Sequence, residues 1–350
     1  MKILFNTVNS LRYYGGAEKW AISTINGLTE HGHSVEAVYL SFVPNGIERV
    51  SDEYIRSVLR SPYNEVRFRR GKFTPLQMDD PPNYDKYDVV YTMAGYYGFL
   101  KQIIEHASIK KIFGLHDPAL QNPKLNRLQR MIIDKLVPKF DVVHLQDQSQ
   151  KNIFKNVDNR FRVLQTWYYG PYPDLKTSHS FDRFTIVFAG RHETDKGFDT
   201  LMQIAKKIPD NVDLIILGTG TRTEELQNLN NNVKNLGFVS DFELSDILKK
   251  SHVMLYPSYS ESTTSMTLND GLINGLPILF RPIPQNTDLL NYPECKKCEK
   301  TEDFLDSIIN LRDKWESDPN EYLELRISLQ NRLKNKGDYV QAFIDTILKA

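Results

Sequence analysis

The sequence FAGRHETDKG, residues 188–197, places two cations directly after an apolar strand. The run from Phe184 to Ala189 is short and apolar, and Arg191 and Lys196 follow it five residues apart. A helix is predicted from Phe198, so both cations lie between the carboxyl end of a strand and the amino end of a helix. That position offers charge and N–H donors to a phosphate group. Taken alone, the stretch is more typical of a loop with two solvated cations, and the rest of the chain decides between these interpretations.

The chain around this stretch alternates short apolar strands with helices, and the alternation occurs twice. Strands are predicted at residues 2–6, 34–40, 88–92, 111–115 and 141–145, and again at 184–189, 212–217, 233–238, 253–256 and 277–280. Helices are predicted at 17–31, 198–207, 222–230, 242–249 and 266–274. The pattern predicts an α/β protein with two parallel sheets covered on both faces.

Length and composition agree with two globular domains. The chain has 350 residues, a formal net charge of zero and 40% hydrophobic residues, which excludes a disordered or a nucleic-acid-binding protein. No apolar run approaches the roughly 18–20 residues of a membrane span, and no signal peptide is expected. The Pro- and Tyr-rich segment 169–173 and the polar residues up to 183 predict a linker.

The two cysteines, Cys295 and Cys298, form a CKKC motif. So few cysteines fit a reducing compartment, and we expect a cytoplasmic protein. A half zinc site and a redox pair are both compatible with the spacing, but no His or third Cys stands near enough to complete a zinc site. We therefore expect no function at this motif.

The neutral balance hides a charge asymmetry. Residues 1–170 carry 23 Lys and Arg against 17 Asp and Glu, a net of +6, and the remainder carries 21 against 27, a net of −6. The positive half contains a basic cluster at 67–73 and an amphipathic basic helix at 124–139. Such a helix fits an anionic lipid surface or, equally, an ordinary core-facing helix with a solvated cationic side.

Two further strand exits carry candidate site residues in the first half. Gly15 and Gly16 follow the first strand, where paired glycines let backbone N–H groups approach a phosphate or a sugar. His116 and Asp117 follow the strand 111–115, where a histidine could bond a substrate hydroxyl or transfer a proton. Tight turns and helix caps use the same residue types, so neither signal is specific.

In the second half, Glu261 follows the strand 253–256 and precedes a helix that ends at Gly275-Leu276-Pro277. A carboxylate there can accept hydrogen bonds from sugar hydroxyls, although a glutamate in this position is most often a helix cap. The stretch from Ser262 to Thr267 offers N–H and hydroxyl donors to phosphate oxygens.

The ordered set of these motifs resembles the family-4 glycosyltransferases. The resemblance covers essentially the whole chain and is closer in the second half. Its motifs are Gly15-Gly16-Ala17-Glu18, Gly190-Arg191 with Lys196-Gly197, Gly237-Phe238-Val239-Ser240, and Pro257-Ser258 with Glu261 and Gly275-Leu276-Pro277. The resemblance implies the GT-B fold, in which two Rossmann-like domains face each other across a cleft. An acceptor domain would comprise residues 1–170 and a crossing C-terminal helix at about 337–350, and a donor domain residues 180–336.

The resemblance also implies roles for individual residues. Four residues would have catalytic roles. Arg191 and Lys196 would bind the donor diphosphate, Glu261 would contact the donor sugar, and His116 would lie near the reacting centre. Donor binding falls to Gly15, Gly16, Gly218, Val239, Ser265, Met266, Thr267 and to Asn269 or Asp270. The family's second glutamate stands eight positions after the first, where this chain has Asn269. Counting back from Gly275 instead selects Asp270, which we favour.

The predicted reaction is a retaining, metal-independent sugar transfer from a nucleotide-diphosphate sugar, with a UDP-sugar the expected donor and no cofactor. The chain has no Asp-x-Asp pair to suggest a metal clamp and no evident nucleophile. The expected acceptor is a saccharide, glycolipid or glycoprotein, and the basic first half suggests work on the inner face of an anionic membrane. Alternatives are a non-catalytic sugar-nucleotide-binding protein, a sugar-nucleotide epimerase or hydrolase, and, least of all, a nicotinamide-dependent dehydrogenase.

Overall fold

The computed structural model describes residues 1–7, 10–40, 49–66, 68–69, 77–78, 80–93, 95–116, 120, 126–167, 172–177, 180–227, 229–261 and 265–350. The chain divides into two compact units. Unit 1 comprises Met1–Tyr169 together with Asp338–Ala350, and unit 2 comprises Gly170–Gly337.

Unit 1 is built on a parallel sheet. Its strands are β1 (Lys2–Asn6), β2 (Ser34–Leu40), β3 (Tyr63–Val66), β6 (Val89–Thr92), β7 (Lys110–Gly114), β8 (Val142–Leu145) and β9 (Phe161–Val163), and a small antiparallel pair is formed by β4 (Phe68–Arg69) and β5 (Gln77–Met78). The strand order in the described sheet is β3-β2-β1-β6-β7-β8-β9. The helices are α1 (Gly16–Glu30), α2 (Asp52–Val58), α3 (Tyr97–His106), α4 (Arg127–Met131) and α10 (Tyr339–Phe343). This doubly wound order is the predicted Rossmann-like arrangement.

The basic segment at 124–139 packs into the core of unit 1. Its described part runs through α4 into a π-helical turn over Ile132–Leu136 and a 3₁₀ turn over Val137–Lys139. Ile132, Ile133 and Leu136 are buried in the apolar cluster of the unit. Most of the apolar side therefore faces the core, as the core-facing alternative predicts, while Leu128 and the cations Arg127, Lys135 and Lys139 are exposed. Most of the basic cluster at 67–73 lies outside the described residues.

The C-terminal segment belongs to unit 1, as the fold prediction requires. Helix α10 is followed by a π-helical turn over Ile344–Leu348, and both carry buried apolar side chains. Tyr339 accepts a hydrogen bond of 3.0 Å from the indole Nε1 of Trp20. Phe343 packs against the same indole, with ring centroids 6.0 Å apart. The last residues of the chain thus complete the aromatic core of the first unit.

Unit 2 repeats the architecture. Its strands are β10 (Phe184–Ala189), β11 (Val212–Leu217), β12 (Val233–Gly237), β13 (Val253–Tyr256), β14 (Ile278–Phe280) and β15 (Lys296–Lys297), and its helices are α5 (Phe198–Lys207), α6 (Asp241–Lys250), α7 (Met266–Ile273), α8 (Thr301–Ser317) and α9 (Pro319–Lys334). The described strands are parallel and ordered β12-β11-β10-β13-β14-β15. The order reverses direction between β10 and β13. Ligands of open α/β sheets bind at such a switch point, beyond the carboxyl ends of the strands.

One predicted helix of unit 2 is wrong. Residues 222–230 are predicted as a helix, but the structure has only a short 3₁₀ turn over Thr223–Leu226. The side-chain hydroxyl of Thr223 bonds to the backbone of Gly220 and holds the turn locally. The asparagine-rich sequence at 228–232 has a low helix propensity, which the apolar spacing of the segment does not reveal.

The CKKC motif lies at the far side of the sheet of unit 2, flanking β15. Both cysteines are buried and free. Burial raises the pKa of the Cys295 thiol to about 12 and that of the Cys298 thiol to about 11. Thiols held in the protonated form are poor nucleophiles and metal ligands. Among the described residues, no helix is both long and apolar enough to cross a membrane.

A backbone contact holds the exits of β10 and β13 together. Gly197 has a left-handed backbone with φ +74°, and a Cβ atom at this position would lie 2.1 Å from the carbonyl oxygen of Pro257. The amides of Tyr259 and Ser260 bond to the carbonyl of Asp195 at 2.8 and 3.4 Å. Gly197 therefore permits a close approach that brings the turn after β10 against the loop after β13.

We predict that Gly197→Ala destabilises unit 2 much more than Gly237→Ala. Both glycines have positive φ, so each alanine carries backbone strain of about 1–2 kcal/mol. Only Gly197 also meets a backbone atom, whereas a Cβ at Gly237 has open space. We expect a loss of roughly 3 kcal/mol or more for Gly197→Ala, measured by urea unfolding. Equal losses for the two variants would contradict the contact with Pro257.

Candidate functional site

Lys196 and Glu261 meet at the switch point of unit 2. The Lys196 ammonium lies 2.5 Å from Oε2 of Glu261, and the pair is largely shielded, with side chains 18% and 10% exposed. Tyr256 donates to the other carboxylate oxygen, Oε1, at 2.5 Å. The structure thus brings together two of the predicted site residues that are 65 positions apart in the chain. Charge-assisted hydrogen bonds of this kind are stronger than neutral ones.

Arg191 lies on the same turn, in a more exposed ion pair. Its guanidinium is 2.8 Å from a carboxylate oxygen of Asp195, and both side chains are about two-fifths exposed (43% and 40%). Glu193, between them, accepts hydrogen bonds from the backbone N–H and the hydroxyl of Thr221. Each predicted phosphate-binding cation therefore has a carboxylate partner in the structure.

Helix α7 carries the next group of predicted residues. Its N-cap, Ser265, makes no side-chain cap to the first-turn amides of the helix. Met266 and Thr267 form the first turn and are half-buried, while residues 262–264 lie outside the described residues. An uncapped first turn leaves backbone donors at the amino end of the helix, where an anion is stabilised.

The two candidates for the second-carboxylate position differ in environment. Asn269 is 3% exposed, and its side-chain Nδ2 has no hydrogen-bond partner among the described residues. Asp270 is half-buried and has partners of its own. Because successive helical residues point about 100° apart, only one of them can face a given ligand. Both stay predicted candidates for a ribose contact.

Gly218 and Val239 lie at the exits of the two neighbouring strands. Gly218 follows β11, and its N–H donates to the carbonyl of Gly237 at 2.7 Å. Its backbone has φ +108°, and a Cβ there would lie 2.0 Å from the carbonyl oxygen of Gly190. Val239 follows β12 and is half-buried. Both residues stand at the carboxyl edge of the sheet, and their contact with a donor stays a prediction.

In unit 1, the predicted glycine pair begins helix α1. Gly15 is the N-cap, and its N–H donates to the buried Oε2 of Glu18 at 2.9 Å, so the pair is a capping box. A Cβ at Gly16 would meet nothing within 4 Å. The protein itself therefore leaves room beside Gly16. Within the described ranges, no group of three or more His, Cys, Asp and Glu side chains is arranged to hold a metal ion.

His116 is buried in unit 1 and bonded at both ring nitrogens. Its Nε2 lies 2.9 Å from the hydroxyl of Tyr91, and its Nδ1 lies 2.9 Å from the side-chain amide of Gln146. The indole of Trp20 lies over the ring at a centroid distance of 4.2 Å. Asp117 lies outside the described residues. His144 joins the network through a hydrogen bond of 2.8 Å from its Nδ1 to the same Tyr91 hydroxyl.

The chemistry of the partners fixes the direction of every bond in this network. His144 Nε2 lies 3.1 Å from the carbonyl of Leu164, which can only accept, so Nε2 carries the proton. Burial lowers the pKa of His144 to about 4, so its Nδ1 is an acceptor for the Tyr91 hydroxyl. The Tyr91 oxygen then accepts from His116 Nε2–H, and His116 Nδ1 accepts from Gln146. Burial, with a smaller contribution from His144, also lowers the pKa of His116 well below its usual value.

Sequence reasoning missed four residues of these two clusters: Tyr256, Tyr91, His144 and Gln146. A weak signal was present, since His144 interrupts the apolar strand VVHL and Tyr256 ends the apolar strand VMLY. The glycine at position 114, at the end of a strand, is a clearer signal. The structure explains it, because a Cβ there would lie 2.1 Å from the Tyr91 hydroxyl. Which polar groups share a partner depends on strand register, such as Gly114 opposite His144, and the sequence does not display it.

We predict that acidification destabilises unit 1 through His116 and His144. Both have folded-state pKa values below the value of about 6.5 expected in the unfolded chain. The unfolded state therefore binds more protons, so stability is fully present above about pH 6.5 and is lost as the pH falls toward 4. His144 costs about 2 kcal/mol of stability between pH 6.5 and pH 5, and His116 adds a loss of the same sign. Urea unfolding across this range measures the slope.

The control for this measurement is a histidine outside the network. His116→Asn and His144→Gln should each flatten the pH dependence whatever they do to stability at pH 7.5, and exposed His106→Gln should leave the slope unchanged. If the slope is the same in the wild type and all three variants, the two histidines bind protons equally in the folded and unfolded states, which contradicts the prediction. His252 in unit 2, whose pKa burial lowers to about 3, and His192, whose pKa burial also lowers, contribute slope of the same sign.

Comparisons with known proteins find similarity to glycosyltransferases in sequence and in fold. Residues 183–313 match the family described as "Glycosyl transferases group 1". A 2-deoxystreptamine N-acetyl-D-glucosaminyltransferase from Niallia circulans is 30% identical over 104 residues, which are 27% of this chain and 26% of that protein. The match thus spans about a quarter of the length of that relative.

Solved structures match over the whole chain. Anabaena Alr3699/HepE in complex with UDP has a TM-score of 0.73 at 14% identity, with all of both chains covered. Sucrose-phosphate synthase from Thermosynechococcus elongatus has a TM-score of 0.71 at 13% identity, covering 100% of this chain and 98% of that one. At these identities the likeness shows the fold, which is GT-B. Residues 183–313 therefore match a group 1 glycosyltransferase domain, within a chain that has the GT-B fold.

Proposed function

We propose that this protein transfers a sugar from a nucleotide-diphosphate sugar to an acceptor hydroxyl. The observation that carries the proposal is the Lys196–Glu261 pair beside Arg191, at the switch point of a unit that contains a group 1 glycosyltransferase domain. The solved relatives bind UDP and UDP-glucose, and the curated relative is an N-acetylglucosaminyltransferase, which supports a UDP-hexose as donor.

The mechanism is electrostatic. Arg191 and Lys196 offset the charge that develops on the diphosphate as the glycosidic bond breaks, and the first-turn amides of α7 add N–H donors. Glu261 accepts hydrogen bonds from hydroxyls of the donor sugar. The low exposure of Lys196 and Glu261 strengthens both interactions relative to bulk water.

Donor binding then exchanges partners. In the described structure the Lys196 ammonium is bonded to Glu261, and the Arg191 guanidinium to Asp195. A diphosphate takes up hydrogen-bonding capacity of both cations, while the sugar hydroxyls supply donors to the Glu261 carboxylate. A nucleotide sugar provides phosphate oxygens for the two cations and hydroxyl donors for the Glu261 carboxylate. A bare phosphate bonds only to the cations and is repelled by the charge of the carboxylate.

Retention and independence from metal ions belong to the same proposal. The acceptor hydroxyl attacks the anomeric carbon on the face from which the diphosphate leaves, without a covalent enzyme intermediate. The bond between the anomeric carbon and the diphosphate oxygen breaks, and the departing diphosphate takes the proton of the hydroxyl. Arg191 and Lys196 act in place of a divalent cation. The backbone near Val239 meets the base, Gly16 lies against the phosphate, and His116 lies near the reacting centre as a neutral hydrogen-bonding group.

The acceptor side of the proposal rests on charge. We assign a saccharide, glycolipid or glycoprotein acceptor in cell-envelope synthesis and a place on the inner face of the membrane. The support is the net charge of +6 in residues 1–170 and the exposure of Arg127, Lys135 and Lys139 beside the core-facing segment of unit 1. Anionic lipid attracts each such cation with about 1 kcal/mol.

We predict that Arg191→Ala and Lys196→Ala each lower kcat/KM by 10²–10³-fold, which corresponds to about 2–4 kcal/mol of transition-state stabilisation. Calorimetric titration with UDP, GDP, ADP and CMP, without added metal, first identifies the base. Lys207→Ala is the matched control, because Lys207 also pairs with a glutamate in unit 2 but is exposed and distant in sequence from the site. Full activity of either site variant would refute the assignment.

The same assay separates the alternatives. Binding without turnover across many acceptors favours a non-catalytic sugar-nucleotide-binding protein. Release of free sugar without added acceptor favours a hydrolase. No binding of any of the four nucleotides contradicts the phosphate site altogether.

We predict that the protein sediments with phosphatidylserine vesicles at low salt and not with phosphatidylcholine vesicles. Salt should weaken binding, since the Debye length shortens from about 30 Å at 0.01 M to about 10 Å at 0.1 M. The triple change Arg127→Glu, Lys135→Glu and Lys139→Glu should reduce partitioning by about a hundredfold or more. If the wild type stays in the supernatant at low salt, the membrane assignment is wrong.

A further inference from the structure

The hydroxyl of Tyr256 connects two segments of the candidate site in unit 2. Tyr256 is the last residue of β13 and is 4% exposed. Its hydroxyl donates to Oε1 of Glu261 at 2.5 Å. The strand end and the loop after it are therefore joined through one phenolic oxygen.

The bonding capacities of these groups decide the direction of the bonds. An ionised carboxylate only accepts, so the single phenolic proton goes to Glu261. Burial raises the pKa of Tyr256 well above its usual value, and the charge of Glu261 adds to the effect. The phenol thus keeps its proton at neutral pH and remains a donor to Glu261.

We propose that Tyr256 is a positioning residue that orients the Glu261 carboxylate for the sugar part of the donor. The inference rests on the proposed function and deepens it, because it names a residue that acts on sugar recognition and not on the diphosphate. Tyr256 does not need to touch the substrate. It acts through Glu261, because it holds Oε1 of the carboxylate while Lys196 contacts Oε2.

Geometry shows why one partner is insufficient. The Lys196 ammonium is a point donor on a flexible stem and allows the carboxylate to rotate about its contact. With Tyr256 on Oε1 and Lys196 on Oε2, the two oxygens are held separately. A carboxylate has about four acceptor positions, so two remain for sugar hydroxyls in a defined orientation. Without the phenol, Glu261 is free to turn toward Lys196 and to offer those positions elsewhere.

The test is Tyr256→Phe, which removes the hydroxyl and keeps the buried ring. Calorimetry with UDP and with UDP-glucose separates the two parts of the donor. We expect the Kd for UDP to change less than about twofold, and the Kd for UDP-glucose to rise at least about tenfold, the effect of losing one hydrogen bond to a charged group. Exposed Tyr259→Phe is the matched control and should change neither Kd.

A double-mutant cycle with Glu261→Ala shows whether Tyr256 acts through the carboxylate. In the Glu261→Ala background, Tyr256→Phe should change the Kd for UDP-glucose less than about twofold, because the group it positions is absent. An equal tenfold effect in both backgrounds overturns the proposal, as does an equal weakening of UDP and UDP-glucose in the single variant. If the wild type binds neither compound, the proposed function fails and this proposal with it.

Discussion

The reversal of strand order between β10 and β13 is the constraint on which the candidate site depends. In a parallel sheet all carboxyl ends lie along one edge, and the connections from these two strands leave in opposite directions. The turn after β10 and the loop after β13 are therefore the two segments that border the opening. The close approach of Gly197 to Pro257 locks them together, and Lys196 meets Glu261 as a consequence. Topology brings the pair together, and the glycine sets the distance.

The ion pairs in unit 2 change the meaning of the sequence motif. Two cations after a strand suggest a site of positive charge, but Asp195 and Glu261 neutralise both, and Glu193 adds a further negative charge. Electrostatic attraction of an anion to this turn is consequently weaker than the motif alone indicates. Specificity follows from the same arrangement, because a ligand that brings hydroxyl donors as well as phosphate keeps the carboxylates bonded. A smaller ligand without hydroxyl donors would leave the carboxylates without partners, and its affinity would be lower.

The sequence predicts the strands and the fold class well because buried parallel strands are short apolar runs with sharp boundaries. Phe184–Ala189 and Val212–Leu217 are observed with the predicted limits, and the C-terminal segment packs on unit 1 as the resemblance implies. Apolar spacing fails as a predictor at 222–230, where a threonine side chain holds a 3₁₀ turn. The site is harder to predict, since Tyr256 and Gln146 acquire their roles from partners that only the tertiary structure supplies. Asn269 and Asp270 stay undecided because a one-residue shift in a helix changes the face without changing the pattern.

The histidine network of unit 1 limits the chemistry that His116 can perform. A general acid or base works best with a pKa near the operating pH, whereas burial lowers the pKa of His116 well below that range. Both of its nitrogens are also engaged, one as donor to Tyr91 and one as acceptor from Gln146. The ring is thus a neutral dipole of fixed tautomer. In the proposed sugar transfer, the charge that forms on the leaving diphosphate is therefore met by Arg191 and Lys196 of unit 2, and His116 contributes only oriented hydrogen bonds.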